Sequence, residues 1–208
     1  MSAQSGRRSG LSSTLLGIDP VRRALYIAGM VPAVLYFHWG VTDRLGADPQ
    51  NVLERALGLW ALRFLIATLA IAPIRTIGGP NLVRYRRALG LLSFYYAMLH
   101  VAVYVLLDKQ LDVFSIAADI VRRPYITVGM LAFVVLVPLA VTSNGPMIRK
   151  LGARWRKLHR LIYLAAAAAA LHFIMLVKAW SPEPLIYAVL VVALLLFRAL
   201  PLKVRWGT

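Results

Sequence analysis

Cysteine is absent from this chain, so the side chains able to ligate a metal are carboxylates, methionines and four histidines: His38, His100, His159 and His172. Disulfides, Cys-ligated iron–sulfur clusters and covalent haem attachment through C-x-x-C-H are thereby excluded. His100 sits in YRRALGLLSFYYAMLHVAVY (85–104), and His159 and His172 in WRKLHRLIYLAAAAAALHFIML (155–176). Both stretches are apolar enough to cross a membrane. Imidazole gains nothing from hydrocarbon, and ionisable groups inside spans tend to mark function.

Depth is the useful coordinate. Counted from Ala88, His100 is ~18 Å up its helix at ~1.5 Å per residue. Counted from Leu158, His172 is ~21 Å up a helix running the same way, so the two levels agree within ~3 Å. Two imidazoles at one height on parallel neighbours can face each other across a flat object. The six alanines 165–170 and Gly90 leave room between helices, although ordinary packing uses small residues too. With imidazole as the donor and no thiolate, a bis-His b-type haem is the expected occupant. The competing reading is a pair of structural histidines that only hydrogen-bond within the bundle.

His159 lies ~20 Å below His172, a rise that suits a second haem. On an ideal helix, however, the two side chains point roughly 140° apart. The matching positions on the other helix are Arg86 and Arg87, which stay protonated and cannot ligate iron. They suit a haem propionate or a phosphate instead. One haem is therefore the expectation, with a second left open. Arg63 either snorkels to the surface or meets a haem propionate. His38, beside Trp39, reads as interfacial. Tyr95, Tyr96, Tyr104, Tyr163, Met98 and Met175 read as packing.

The elements that must carry these residues are helices. Of 208 residues 60% are hydrophobic and mean hydropathy is +0.70, more apolar surface than a soluble domain of this length can hide. Six apolar runs, about 24–40, 56–73, 88–107, 124–142, 158–177 and 184–200, each approach the ~20 residues that cross a bilayer. The expected fold is all-α: a polytopic membrane bundle of six transmembrane helices over 24–200, with tails 1–23 and 201–208. A short surface helix is expected in VFSIAADIVRR (113–123). Segments 1–23, 74–87, 143–160 and 198–208 hold 17 Lys/Arg and one acid, Asp19. Segments 41–57, 108–123 and 178–183 hold six Lys/Arg and the other seven acids. The positive-inside rule then puts both termini in the cytoplasm. The net charge of +16 is thus topology, and no nucleic-acid partner is expected. Arg7-Arg8 precede polar residues, so no export signal is expected. Trp39, Trp60, Tyr125, Trp155, Trp180 and Trp206 lie near the anticipated interfaces.

With these residues in place the chain resembles the MsrQ family of haem-binding membrane subunits, within the ferric-reductase-like transmembrane group. The likeness rests on WALRFLIATLAIAPIR (60–75) and on the two histidine-bearing segments above, and covers nearly the whole chain. It implies haem b, with FMN also attributed to the family. It implies electrons drawn from the quinone pool or a cytosolic flavin reductase. These would pass to a periplasmic molybdopterin-containing methionine sulfoxide reductase that repairs oxidised proteins. The inner haem of the oxidase relatives has a histidine where this chain has Arg86 and Arg87. No G-x-G-x-x-G occurs, so a nicotinamide must be used by a partner. The alternatives are a stand-alone ferric-reductase-type cytochrome and a non-redox membrane subunit.

Overall fold

The computed structural model describes residues 19–176 and 181–199. Arg7, Arg8, Trp180, Trp206 and the tail 201–208 lie outside the described residues. The described elements are all helical. The six long ones are α1 (Pro20–Val41), α2 (Pro49–Thr76), α3 (Arg86–Val103), α5 (Pro124–Val141), α8 (Ile162–Leu176) and α9 (Pro182–Ala199). The short α4 (Val113–Arg122) joins α3 to α5, and α6 (Gly145–Leu151) and α7 (Ala153–Leu158) join α5 to α8. Counting the turns that extend α3 (Val83–Asp108) and the helix α7 and turn that precede α8 (Ala153–Leu176), all six long segments have the length and apolarity to cross a membrane.

Local chemistry decides where these helices begin. The Asp19 carboxylate accepts the Val21 N–H and that of Asp48 accepts the Asn51 N–H, each followed by proline at the first helical position. A side-chain acceptor with proline behind it starts a helix whatever the hydropathy of the next residues. So α2 starts at Pro49, not at residue 56, and its 28 residues reach ~42 Å, more than a ~30 Å hydrocarbon core. Trp60 and Arg63 consequently lie deeper along α2 than the apolar run alone implies. The surface helix appears where VFSIAADIVRR placed it; Asp112 caps it, accepting the Phe114 and Ser115 N–H groups.

Packing is organised as two tight antiparallel pairs of consecutive spans: α2 against α3, and α5 against α8. α1 closes the first set, where Gly29 lets Leu92 approach so closely that a Cβ there would meet it at 2.5 Å. The buried Tyr96 hydroxyl donates to Gly29 O (2.7 Å) and accepts from Ala33 N–H (3.0 Å). It thereby occupies both ends of one backbone rung beside Pro32, which has no N–H of its own. α9 closes the second set through Val191 and Tyr187, against a core of Leu62, Leu65, Leu136, Ala165, Ala166 and Phe173. Tyr95, Met98 and Met175 are exposed on the outside of the bundle, as lipid-facing side chains are.

Candidate functional site

Helices α2, α3, α5 and α8 surround a cavity of ≈ 380 Å³. His100 enters it from α3 and His172 from α8. Their ring centroids are 6.2 Å apart with planes crossed at 71°. Each ring is held from behind in the same way. His100 Nδ1–H donates to the Glu54 carbonyl on α2 at 2.9 Å, and His172 Nδ1–H donates to the Tyr125 carbonyl on α5 at 2.7 Å. A carbonyl oxygen can only accept, so both Nδ1 atoms carry a proton, and in the neutral rings both Nε2 atoms keep a lone pair. This is the second-sphere arrangement of metal-ligating histidines.

One turn beyond each carbonyl stands a glycine against the ring. A Cβ on Gly58 would lie 3.1 Å from His100 Nδ1, and one on Gly129 only 2.8 Å from His172 Nδ1. The motif is therefore repeated on the two helix pairs: carbonyl, glycine four residues on, imidazole between. These glycines were not singled out in the sequence. Their only signal there is a Gly within each of two apolar runs; which helix neighbours which is not written in one chain's sequence.

The spacing sets what the pair can hold. Metal–imidazole bonds of about 2.0 Å, plus roughly 1.1 Å from nitrogen to ring centre on each side, separate two coaxial ring centroids by roughly 6.2 Å. Among the described residues no group of three or more His, Cys, Asp or Glu side chains is disposed to hold a metal ion. A bare ion that needs three or four protein donors is poorly served. A metal that brings four in-plane donors of its own, as in haem, needs only two axial nitrogens. The residues present fit that group. The cavity walls are Leu62, Leu65, Ala97, Phe133, Leu136 and Phe173, with Phe133 stacked on Phe94 at 6.1 Å and 6°. Of the six alanines only Ala169 lines the cavity; Ala165, Ala166, Ala168 and Ala170 are buried in helix packing. Gly90 faces Thr68 at ordinary contact distance and does not line it. The expectation that the small residues open the slot is thus corrected: they mainly draw α8 close to its neighbours, and Gly58 and Gly129 give the rings their room.

Toward the end bearing the acidic loops the cavity turns polar, with Asp48, Glu54, Arg55, Tyr104, Asp108 and Arg123 at its mouth. A π-helical turn, Tyr104–Asp108, follows α3 directly, a feature often found at functional sites. It brings Lys109 to Asp108 (3.1 Å) and to Asp119 of α4 (2.8 Å). Asp119 also accepts from the Tyr104 hydroxyl (3.1 Å) and pairs with Arg123 (3.1 Å). The hydrogen bond from Lys109 holds the Asp119 carboxyl below its ordinary range, and the same bond raises the lysine above its own. Arg55 reaches Glu183 of α9 at 3.5 Å.

Arg63 is directed elsewhere. Its Nε donates to the Tyr187 hydroxyl at 2.7 Å and its guanidinium lies over the Trp60 ring at 5.0 Å, and it does not line the cavity. Arg55 and Arg123, not singled out in the sequence, are the guanidinium groups that do. His159 stands at the basic end, in a 3₁₀ turn (His159–Leu161) between α7 and α8. That turn breaks the regular helix assumed when its direction is counted from His172. Its Nε2 lies 3.0 Å from Thr142 Oγ1, and its ring stacks on Trp155 at 3.9 Å. Arg86 and Arg87 open α3 at the same end, Arg86 half-buried and Arg87 exposed. His38 is exposed at the last turn of α1.

This bundle of apolar spans belongs to a class, the ferric reductase like transmembrane component, whose family profile matches residues 57–183. Among curated relatives, one from Brucella ovis is 59% identical over 174 residues, covering 84% of this chain and 79% of the relative. One from Brucella melitensis is 58% identical over the same length. Both carry the name protein-methionine-sulfoxide reductase heme-binding subunit MsrQ. The chain belongs to the MsrQ family, and is a multi-pass inner-membrane protein.

Proposed function

We propose that this protein is a haem b-carrying electron-transfer subunit of a methionine sulfoxide reductase system, with His100 and His172 as the two axial ligands. The observation that carries the reading is the pair of rings 6.2 Å apart in one cavity, both with Nδ1 committed to a backbone carbonyl. The family name borne by its relatives supports it. When bound, the haem supplies one-electron chemistry. The chain's own residues do the rest. Glu54 and Tyr125 carbonyls fix tautomer and ring direction, Gly58 and Gly129 set how far each ring can retreat, and apolar walls keep water from the iron. Arg55 and Arg123 at the cavity mouth are placed to pair with propionate carboxylates.

The excess of basic residues in segments 1–23, 74–87, 143–160 and 198–208 puts that end, and both termini, in the cytoplasm. Electrons enter from the quinone pool or a cytosolic flavin reductase. They leave at the acidic end, to a periplasmic molybdopterin-containing methionine sulfoxide reductase. Haem quantified per polypeptide tests the cofactor reading: one per chain is expected, retained in His159→Ala and lost in a His100→Ala/His172→Ala double variant. Protein expressed with ample haem yet lacking a Soret band would end it. Ferric-chelate reduction by the purified protein without any partner would favour a stand-alone reductase over a subunit.

A further inference from the structure

Helix α4 is tied to the bundle at both ends. Four residues, 109–112, separate it from the span that ends at Asp108, and Arg123 alone separates it from α5. The Thr127 hydroxyl of α5 donates to the Ile120 carbonyl, closing the second joint. Its ten residues make a helix ~15 Å long. Held this closely to the ends of two spans, α4 lies along the edge of the bilayer.

Its two faces are unlike. At about 100° per residue, Val113, Phe114, Ala117 and Val121 fall within about 100° of one another, and all four are exposed. Phe114 is 89% exposed, Val121 84% and Val113 72%, values that leave whole apolar side chains uncovered. Asp119 lies roughly opposite this stripe. It is committed to Lys109, Arg123 and the Tyr104 hydroxyl, so the charged face turns toward the bundle and the apolar face away from it. A contiguous apolar surface of this kind marks a contact with something outside the fold. Leu106 and Leu107, at the end of the preceding span, and Leu111, in the joint, are exposed as well and do not line the cavity. The stripe continues along the chain the surface that this span presents to lipid.

We propose that α4 is an interfacial helix, seated with Val113, Phe114, Ala117 and Val121 in the headgroup–acyl boundary of the leaflet at the acidic end. Helices with one apolar and one charged face bind there by burying the apolar side about 5–10 Å. The attraction is apolar. Residues 108–123 hold three acids (Asp108, Asp112, Asp119) and three bases (Lys109, Arg122, Arg123), so no net charge draws the helix to anionic headgroups. Asp119 pairs with Arg123 at 3.1 Å, and Arg123 lines the cavity mouth. A helix anchored in the lipid therefore holds that mouth at the boundary between membrane and water.

The full chain has no cysteine, so a single nitroxide label can be placed through Phe114→Cys, Val121→Cys or Arg122→Cys. Each labelled protein is reconstituted in phosphatidylcholine nanodiscs. Collision of the label with oxygen, which concentrates in lipid, is compared with collision with a water-soluble nickel chelate. The oxygen-to-nickel accessibility ratio should be several-fold higher at the Phe114 and Val121 sites than at the Arg122 site. Adding phosphatidylglycerol should leave the ratios unchanged. The Val121 site keeps the test open if Phe114→Cys does not fold. Nickel reaching the Phe114 and Val121 sites as freely as the Arg122 site would place the stripe in water, open to a soluble protein, and overturn the seating. A difference that appears only with phosphatidylglycerol would overturn its apolar basis.

Discussion

Replacing Gly129 by alanine should loosen the haem without touching a ligand. The new Cβ would lie 2.8 Å from His172 Nδ1 and 2.9 Å from Cε1. Ordinary contact begins near 3.4 Å, so the ring must withdraw by about 0.6 Å. Its retreat is away from α5, the helix that also carries its hydrogen-bond acceptor. The 2.7 Å bond to Tyr125 O would stretch to about 3.3 Å, beyond the useful N–H···O range. Losing it costs about 1 kcal/mol, and an imidazole forced off its rotamer costs about 0.5–1.5 kcal/mol more. Haem affinity should fall roughly 10- to 100-fold, the size typical of second-sphere changes. The measurement is haemin titration into apoprotein, with the low-spin fraction read from the visible spectrum. Gly58→Ala, whose Cβ meets His100 Nδ1 at 3.1 Å, should lose only a few-fold; Gly90→Ala, with Thr68 Cγ2 at 3.8 Å, should lose nothing. A Gly129→Ala protein binding haem like wild type, or a Gly90→Ala protein losing as much, would refute the reasoning.

Removing a cation from the cavity mouth should favour the oxidised iron, so Arg55→Gln and Arg123→Gln should each lower the midpoint potential. A change of about 1 kcal/mol corresponds to about 40 mV for one electron, measurable by redox titration; no change in either excludes a propionate contact. The anchor of α4 should depend on pH. Because Lys109 holds the Asp119 carboxyl below its ordinary range, that stabilisation is present above the ordinary range and lost as pH falls through the lowered one. The protection factors of Val113–Arg122 amides, that is, exchange rates corrected for intrinsic amide exchange at each pH, should fall in acid, and Asp119→Asn should already show the low protection at neutral pH. His159→Ala should keep most of the low-spin signal, since its ring faces Thr142 and Trp155; loss equal to that in His172→Ala would argue for a second haem. Ring planes crossed at 71° should give a strongly anisotropic low-spin EPR signal, and a rhombic spectrum of nearly parallel rings would contradict the geometry.

Much of the architecture could be read before folding because it follows from lengths. Six apolar runs give six spans, and a constant rise per residue puts residues 100 and 172 at one level. The rest depends on which helix neighbours which. Gly58 and Gly129 matter only because α2 lies behind His100 and α5 behind His172, and a single sequence carries no such adjacency. Of the two roles open to Arg63, the propionate contact is the one its geometry does not favour, for a related reason. Hydropathy starts α2 near residue 56, whereas the Asp48 cap and Pro49 start it seven residues earlier, and Tyr187 on α9 is there to receive the guanidinium. Arg55 and Arg123 carry no signal in the sequence; the cavity mouth that gives them a role forms only when α2 and α5 come together. The alanine run was legible as thin-walled, but its thinness serves close packing of α8 more than the cavity. The angle between His172 and His159 counted on an ideal helix does not carry across the 3₁₀ turn, where the period changes.

The most direct measurement is the low-temperature EPR spectrum of ferric wild type beside His100→Ala and His172→Ala. With iron clamped between these two rings, wild type gives a low-spin signal and each variant converts to high-spin or loses haem. If both variants keep the wild-type low-spin signal, the ligands lie elsewhere and the account fails.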